Sequence, residues 1–435
     1  MKPRDPMTPA QSRLLETLQE DSFEYFVRHA NPLNGLVRDK SREGWPASIA
    51  ATGLALAAYP VGVKRGLMTR TDAARRTLAT LRFFAHAPHG PEADATGYRG
   101  FYYHFLDLQT GRRAHHSELS SVDTAFLLAG MLAAAVFFDQ PSEREDEIRR
   151  LADALFRKAD WQWMQNGSAA VSHGWMPGKG FLRYRWHGYD EALLLYLLGL
   201  GSPTHPLPQE SYQAWLSSYR WKKIYGIEFV YAGPLFIHQL SHVWVDFRGI
   251  RDEFMRRHGL DYFENSRRAT LVQQQYAIRN PRGFAHYDEC CWGITASDGP
   301  GPGTREVQGT KRVFHDYIAR GAPFGPDDGT LAPWAVVASL PFAPEIVLPT
   351  IQNYERLELK GGQGCGYMAS FNPTFPVRPK HKHGWVSSYS FGLNQGPVVL
   401  MIENHRSDFL WSLMRRCPYL VAGLRRAGFS GGWLG

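Results

Sequence analysis

Long apolar helices alternate with amphipathic ones along most of this chain, and this alternation is the strongest constraint on its fold. Residues 47–66 and 120–138 are almost entirely apolar or small, as expected of helices packed on both sides. Residues 69–87 and 142–164 are charged along one face, as expected of outer helices, and Thr69 is suited to be an N-cap. Pairs of one buried and one amphipathic helix predict a toroid of helical hairpins.

The same pattern continues with decreasing clarity toward the C-terminus. A third inner helix is predicted near Tyr189 and a third outer one near Pro208. Further helices are expected at 235–257, 261–279, 310–320, 331–357 and 386–415, and short strands at 100–112 and 174–186. No linker rich in proline or serine divides the chain. We therefore predict an all-α protein in which residues 1–18 form an N-terminal extension with the start of the first helix, and residues 19–435 form one domain.

The charge and hydropathy of the chain argue against two classes of partner. Lysine and arginine number 49 against 41 aspartate and glutamate, giving a formal charge of +8, but the basic residues are scattered. No nucleic-acid motif accompanies them, so a solvated basic surface is favoured over nucleic-acid binding. No apolar run is long enough for a membrane span. The N-terminus lacks the apolar segment of a secretory signal, so we expect a cytoplasmic protein, or a periplasmic or secreted one if a leader was removed.

Metal and cofactor motifs are missing from the sequence. The 4 cysteines form no Cys/His ladder, and there is no GxSxG, P-loop, HExxH or GxGxxG pattern. His238 and His242 are four residues apart and could share a metal from one helix face, but no third ligand is evident nearby. We therefore expect no metal and no cofactor.

Carboxylates stand where the predicted inner helices begin. Glu118 and Asp123 flank the start of the second apolar helix, Asp190 and Glu191 the start of the third, and Asp298 lies on a loop rich in glycine and proline. Helix N-termini favour acidic residues, so each of these residues has helix capping as an alternative role. The capping alternative is weaker for Glu191, because aromatic residues precede it and a wholly apolar helix follows. Desolvation there would raise its pKa toward that of a general acid.

Several stretches of the chain resemble the glucoamylase-like domain family, whose members include bacterial endo-β-1,2-glucanases and the transglycosylating domain of cyclic β-1,2-glucan synthases. The matching stretches are SSVDTAFLLAG (120–130), YDEALLLYLLGLGSPTHP (189–206), GPLFIHQLSHVWVDFRGIRDEF (233–254), DYFENSRRATL (261–271), WGITASDGP (292–300), DDGTLAP (327–333), SLPFAPE (339–345) and NQGPVVLMIENHRS (394–407). The resemblance implies an (α/α)6 barrel with a few short β-hairpins at its funnel mouth, which agrees with the predicted toroid.

The resemblance also implies an activity, the hydrolysis of a β-glucan oligosaccharide or polysaccharide by a glycoside hydrolase, most simply an inverting endo-β-1,2-glucanase. The tyrosine-x-glutamate position of the family makes Glu191 the general acid, which in related enzymes acts through a substrate hydroxyl. The aspartate that serves as base in the family is replaced here by Ala369, and Asn394 stands where aspartate is frequent. Asp123 and Glu118 are the leading substitutes.

Asp298 is the next candidate for the second carboxylate. The loss of the family base leaves two alternatives open: a retaining transglycosylase and a catalytically impaired glycan-binding protein.

The funnel mouth is predicted from residues 98–119, 173–191, 284–304 and 361–388. Its predicted sugar-stacking rings are Trp175, Trp186, Tyr189, Trp292 and Trp385, with Arg183, Arg185 and His242 bonding sugar hydroxyls; core packing is the alternative for each ring.

Overall fold

The computed structural model describes residues 7–361, 365–377 and 383–435, and helices dominate it. The α-helices are α1 Pro9–Arg28, α2 Ile49–Arg65, α3 Arg70–His86, α4 Ser121–Phe137, α5 Glu143–Arg157, α6 Trp161–Gln165, α7 Leu193–Gly201, α8 Gln209–Leu216, α9 Leu240–Trp244, α10 Glu253–Arg257, α11 Tyr262–Arg279, α12 Pro333–Ala338, α13 Pro344–Arg356, α14 Gly392–Ser407, α15 Phe409–Met414 and α16 Pro418–Arg426. Two 3₁₀-helices lie at Leu235–His238 and Gly432–Leu434.

The strands are short and form small antiparallel sheets. They are β1 Ala47–Ser48, β2 Gly97–Tyr98, β3 Phe101–Tyr103, β4 Phe105–Leu106, β5 Leu119–Ser120, β6 Gly174–Met176, β7 Gly180–Phe181, β8 Trp221–Ile224, β9 Ile227–Val230, β10 Ala296–Ser297, β11 Gly303–Val307, β12 Thr310–Phe314, β13 Ile318–Ala319, β14 Phe371–Asn372 and β15 Trp385–Val386. The largest sheet has five strands in the order β2-β3-β5-β6-β7, and the others are two-stranded pairs.

Six hairpins close into a ring, which confirms the predicted (α/α)6 barrel. The inner helices α2, α4, α7, α9, α12 and α14 follow one another around the axis, and α14 packs against α2 to close the ring. The side-chain amide of Gln239, just before α9, donates to the backbone of Ala335 in α12 and so connects those two neighbours. Helices α1, α3, α5, α8, α11 and α13 pack outside them. No helix among the described residues is long and apolar enough to cross a membrane.

Small residues let the first two inner helices approach each other closely. A Cβ atom added to Gly130 in α4 would lie 2.0 Å from the backbone oxygen of Gly53 in α2, a distance that no real Cβ tolerates. The serine hydroxyls of Ser48 and Ser120 cap α2 and α4 by accepting a backbone N–H in the first turn. Thr69 caps α3 in the same way, as predicted. The inner helices therefore begin at defined residues, which fixes where their first turns lie.

The prediction of a helix at 310–320 is wrong, because this stretch belongs to the hairpin β11–β12 and to β13. Gln308 and Gly309 both have positive φ, the backbone of a tight hairpin turn that matches the twist of its strands. The predicted helix at 235–257 is broken into a 3₁₀-helix, α9 and α10, and the hairpin β8–β9 was not predicted. The short strands expected at 100–112 and 174–186 are present.

One large cluster of buried apolar side chains runs through the whole ring. A four-residue satellite lies beneath the hairpin β8–β9 and consists of Ile224, Phe229, Ala269 and Val272. Residues 1–6 of the predicted N-terminal extension lie outside the described residues, as do residues 362–364 and 378–382 of the predicted funnel mouth.

Candidate active site

A cavity of about 540 Å³ opens where all six inner helices begin. Each inner helix contributes a residue from its N-terminal end to the cavity wall. These residues are Ser48 at α2, Val122 in α4, Glu191 just before α7, Leu240 in α9, Trp334 in α12 and Leu393 in α14. The positive ends of the helix dipoles therefore converge on one volume, which favours anionic side chains there. A cavity of this size is typical of a small-molecule or oligosaccharide site.

Carboxylates dominate the polar lining of this cavity. Six of them line it: Asp39, Glu118, Asp123, Glu191, Asp298 and Asp316. The structure thus brings together the four acids that the sequence singled out, Glu118, Asp123, Glu191 and Asp298, and adds two that it did not. Enzymes that cleave glycosidic bonds use a pair of carboxylates in a cleft, one as the acid and one as the base or nucleophile.

Glu191 and its neighbour Asp190 differ in how they are held. Asp190 Oδ1 accepts hydrogen bonds from Trp215 Nε1 at 2.9 Å and from the backbone N–H of Ala192 at 3.0 Å. The Glu191 carboxyl lines the cavity and receives no hydrogen bond from another of the described residues. Burial raises the pKa of Glu191 well above its usual range, and the adjacent Asp190 charge raises it further. The arrangement favours a protonated Glu191.

A second group of carboxylates surrounds His104. The imidazole Nδ1 of His104 lies 2.9 Å from Glu118 Oε1 and 3.6 Å from Asp123 Oδ2. Ser120 Oγ donates to the same Asp123 Oδ2 at 2.6 Å, whereas Asp123 Oδ1 receives no hydrogen bond from the described residues. Burial works against ionisation of Glu118, but the hydrogen bond and charge of His104 outweigh it and lower the pKa of Glu118. Glu118 is therefore the ionised counterpart of Glu191.

The same three residues are the candidate metal ligands of the cavity. One ligand atom each from His104, Glu118 and Asp123 lies within 4.8 Å of the others. These ligand atoms would suit a divalent cation. The Nδ1 atom of His104, however, forms a hydrogen bond with Glu118, and that bond needs a proton between the two atoms. The geometry is thus that of a proton-bridged network, and a metal would have to displace that proton.

Asp298 is held in the cavity wall by two serines and a buried arginine. Ser387 Oγ donates to Asp298 Oδ2 at 3.0 Å, and Ser370 Oγ donates to the Asp298 backbone oxygen at 2.8 Å. Burial raises the pKa of Asp298. Arg320 is fully buried and bonds the backbone oxygen of Ser297, one residue before Asp298, at 2.7 Å. These contacts fix the loop that carries Asp298.

Arg320 also holds the loop on the other side of that wall. It donates to the backbone oxygens of His315 and Asp316 at 3.0 and 3.1 Å and forms a fully buried ion pair with Asp328 at 2.8 Å. Tyr317, which follows Asp316, lines the cavity with its ring about half exposed. One arginine therefore organises two loops of the site.

Asp39 and Lys40 form a further part of the wall. Trp45 Nε1 donates to Asp39 Oδ2 at 3.2 Å, and Lys40 Nζ lies 3.9 Å from the Trp45 ring centroid in a cation–π contact. Burial raises the pKa of Asp39. The indole of Trp45 is thus an aromatic surface of the cavity that the sequence did not single out.

Trp186 is the predicted sugar-stacking residue that does line the cavity. Its Nε1 donates to Ser121 Oγ at 2.9 Å, and the His173 ring stacks on it with centroids 3.8 Å apart. The ring is thereby fixed at the wall. The other seven predicted substrate contacts lie outside the walls formed by the described residues: Trp175, Arg183, Arg185, Tyr189, His242, Trp292 and Trp385.

Three of these seven are enclosed in the protein core. Trp292 is fully buried and donates its Nε1 to Thr350 Oγ1 at 2.8 Å. Tyr189 is buried in a cluster of aromatic rings between inner and outer helices. The His242 Nε2 atom lies 2.9 Å from Ser266 Oγ, and burial lowers its pKa to about 3. Contact with a sugar is not supported for these side chains, because protein surrounds them.

The remaining four predicted substrate contacts lie partly or fully exposed outside the cavity walls. Trp175 is half-buried against Trp163 in the five-stranded sheet region, with centroids 5.9 Å apart. Arg183 is exposed, and Arg185 donates to the backbone oxygen of Gln165 at 2.7 Å. Trp385 is half-buried in β15. Aromatic composition near a helix start therefore did not distinguish a ring that faces the cavity from one that packs beside it.

A ring of six helical hairpins with a carboxylate-lined cavity at the N-termini of its inner helices places this protein among the (α/α)6 barrels with an enzyme-like site. The chain belongs to the family whose model is described as "putative glucoamylase", which matches residues 183–418. This membership confirms the family resemblance drawn from the sequence.

Individual relatives extend the similarity to nearly the whole chain. An exo-β-1,2-glucooligosaccharide sophorohydrolase (non-reducing end) from Parabacteroides distasonis is 29% identical over 97% of this chain, which spans 58% of that relative's length. The solved structure of a putative glucoamylase from Bacteroides uniformis is 29% identical with a TM-score of 0.86, covering 99% of this chain and 100% of its own. An endo-β-1,2-glucanase from Chitinophaga pinensis, solved with sophorotriose and glucose, is 25% identical with a TM-score of 0.84 and the same coverage.

Proposed function

We propose that this protein is a glycoside hydrolase that cleaves β-1,2-linked glucan, acting in the endo mode and with inversion of configuration. The observation that carries the proposal is the pairing, in one cavity, of a carboxyl whose pKa is raised, Glu191, with a carboxylate whose pKa is lowered, Glu118 beside Asp123. Hydrolysis of a glycosidic bond needs a carboxylic acid that donates a proton and a second carboxylate that activates water, and this cavity holds candidates for both. The relatives named above support the β-1,2 linkage.

Glu191 is the general acid in this proposal. A protonated carboxyl at neutral pH donates its proton to the leaving glycosidic oxygen, directly or through a sugar hydroxyl, and burial supplies the pKa that this role needs. Asp190 is unsuited to the role, because its carboxylate is committed to Trp215 and to the backbone of Ala192.

Asp123 is the proposed base that activates water. Its Oδ2 atom is held by Ser120 and lies near His104, which leaves Oδ1 available to accept a proton from water. Glu118 is committed to His104 at 2.9 Å, which makes it less available than Asp123 to accept a proton from water. Asp298 is the alternative base, since it also lines the cavity and is held by Ser387. Water attack on the face opposite the leaving group inverts the anomeric carbon.

The test is digestion of β-1,2-, β-1,3-, β-1,4- and α-1,4-glucans by the purified chain, followed by chromatography of the products. We expect β-1,2-gluco-oligosaccharides of mixed length from β-1,2-glucan alone, with the α-anomer appearing first in NMR spectra. Release of sophorose only would establish an exo mode. Cleavage of another linkage, or none by wild-type protein that binds the glucan, would contradict the proposal.

Retaining transglycosylation is the second candidate. Ala369 occupies the position where the family resemblance implies the base, and its side chain is buried and carries no acid–base group. A carboxylate that attacks the anomeric carbon would then replace the base. Initial release of the β-anomer, with products longer than the added oligosaccharide, would favour this reaction over hydrolysis with inversion.

A further inference from the structure

Tyr317 presents its side chain to the cavity from a loop that is held on both sides. Arg320 donates to the backbone oxygens of His315 and Asp316 just before it, and β13 begins directly after it and pairs with β10. A Cβ atom added to Gly299 would lie 2.2 Å from the His315 backbone oxygen, so the loop after β10 packs closely against this one. The position of Tyr317 is therefore set by the fold before any substrate binds.

The phenol ring of Tyr317 is the most exposed aromatic surface in the part of the cavity wall that the structure describes. Its exposed fraction is 53%, whereas that of Trp186 is 7%. The nearest ring in this wall is that of Phe391, with centroids 6.4 Å apart and an interplanar angle of 35°, and it leaves much of the phenol uncovered. A flat ring with a polar tip can contact both the C–H groups and the hydroxyls of a sugar. The surface of Tyr317 is therefore available to a ligand in the cavity.

The Tyr317 hydroxyl forms no hydrogen bond with the residues that the structure describes. Other donors of the same wall are already committed to protein acceptors. The Ser120 hydroxyl donates to Asp123 at 2.6 Å, and the Trp45 indole donates to Asp39 at 3.2 Å. Polar groups withdrawn from bulk water normally have hydrogen-bond partners. The open phenol is thus placed to find its partner in whatever occupies the cavity.

The groups that surround this hydroxyl are acidic. Burial inside the cavity raises the pKa of Tyr317, and four carboxylates raise it further, namely Asp39, Asp298, Glu191 and Asp123. The phenol therefore keeps its proton at neutral pH, and its O–H can donate. Ionised carboxylates only accept, so they can bond the O–H groups of a sugar but not the lone pairs of its oxygens. A sugar in this cavity needs a donor, and Tyr317 carries one.

We propose that Tyr317 is a substrate-contact residue, whose phenol donates a hydrogen bond to a hydroxyl oxygen of the glucan in the cavity that it shares with Glu191 and Asp123. The inference deepens the proposed function and rests on it. Tyr317 transfers no proton in the reaction. Its contribution is to hold one sugar hydroxyl, and with it the orientation of the sugar ring toward the carboxyl groups.

Tyr317→Phe tests the contact, because it removes the hydroxyl and keeps the ring. We expect kcat/KM on β-1,2-glucan to fall about 10-fold, the effect of one lost hydrogen bond. In the Glu191→Gln background, where the ligand is not consumed, the same change should weaken binding of β-1,2-linked glucotriose by a similar factor in calorimetry. Tyr225→Phe is the matched control, since that residue lies in the turn of β8–β9, outside the described cavity walls, and its hydroxyl also forms no hydrogen bond with the described residues.

Trisaccharides that each lack one hydroxyl identify the contact directly. The analogue without the bonded hydroxyl should bind Glu191→Gln protein equally well with and without Tyr317→Phe, because the two changes remove the same hydrogen bond. The other analogues should keep the difference of about 10-fold between the two proteins. A difference that all analogues retain would overturn the proposal, since the phenol would then bond none of the sugar hydroxyls.

The possible failures are distinguishable. Wild-type protein that binds β-1,2-linked glucotriose but cleaves no β-1,2-glucan refutes the proposed function, while calorimetry still decides the contact of Tyr317. Wild-type protein that neither binds nor cleaves refutes both. Unchanged kcat/KM and affinity in folded Tyr317→Phe, when the wild type cleaves β-1,2-glucan, refute the contact alone.

Discussion

The indole Nε1 of Trp215 lies 2.9 Å from Oδ1 of Asp190, so one of two adjacent carboxylates is fixed to the wall while its neighbour, Glu191, faces the cavity. Two acids next to each other in the sequence thus meet different environments. The outer helix α8, which carries Trp215, determines which of them is available for chemistry. This difference is the basis for the first two predictions.

Glu191→Gln should lower kcat on β-1,2-glucan by about 10²–10⁴-fold, because the amide cannot supply the proton that the leaving oxygen needs. Binding of β-1,2-gluco-oligosaccharides, measured by calorimetry, should stay close to that of the wild type. Glu210→Gln in α8 is the matched control, since Glu210 is exposed and should tolerate the same change without loss. Near-normal turnover by Glu191→Gln would show that another group is the acid.

The pH dependence of stability should also report on Glu191. Its pKa is raised in the folded state, so its contribution to stability is complete below the unfolded pKa and is lost as the pH rises through the folded pKa. Glu191→Gln removes this loss, so its Tm should exceed that of the wild type at pH 9 and match it near pH 4. Equal Tm values at both pH values would mean that the folded environment does not penalise the charge.

Asp123→Asn and Asp298→Asn should distinguish the two candidate bases. We expect the Asp123 variant to lose about 10²–10⁴-fold in kcat, because the freely available Oδ1 is the proposed proton acceptor. The Asp298 variant should lose less, since Ser387 can still bond the amide oxygen. External azide offers a check, because a small anion restores turnover to an inverting enzyme that lacks its base. The reverse order of losses would assign the base to Asp298.

Arg320→Met should destabilise the protein by about 3–5 kcal/mol, because Asp328 would keep a buried charge without its partner. Urea unfolding followed by tryptophan fluorescence measures this change. Arg305→Met in the exposed strand β11 provides the comparison, with an effect within about 0.5 kcal/mol. Equal stability of the two variants would show that Arg320 does not clamp the loops of the site.

Prolonged treatment with EDTA should leave the activity unchanged. Glycosidases operate with carboxylates alone, and the His104 nitrogen nearest the acids is engaged by Glu118. Activity before and after dialysis is the measurement, with added Mg²⁺, Ca²⁺ or Zn²⁺ as a further condition. Inactivation that a divalent ion reverses would instead indicate a metal bound by His104, Glu118 and Asp123.

The sequence predicted the ring because helices such as α2 and α4 are apolar on every face and must be enclosed. It also predicted four of the six acids that line the cavity, since acids at the start of enclosed helices lie near the open end of the ring; Glu191 and Asp123 are examples. Their catalytic roles stay predictions. The hairpin β11–β12 was not predicted, because its strands are mostly polar and exposed and show no alternation of apolar and polar residues.

The residues that were missed at the site are those whose role depends on long-range packing. Asp39 and Asp316 lie on loops without a helix directly after them, and His104 is separated from Asp123 by eighteen intervening positions. Only the pairing of β3 with β5 brings that imidazole to its carboxylates. The prediction that Trp292 stacks on a sugar is not supported for the same reason. Its position depends on packing against α13, where Thr350 accepts the hydrogen bond of the indole N–H.

The convergence of six inner-helix N-termini on one cavity has a consequence for the order of assembly. The walls draw on segments from Asp39 to Asn394, so no short fragment of the chain contains them all. During synthesis, the first hairpins leave the ribosome with Asp39, Glu118 and Asp123 already translated but without the opposite wall. The cavity is therefore closed only when α14 docks against α2, after every other wall segment has been synthesised.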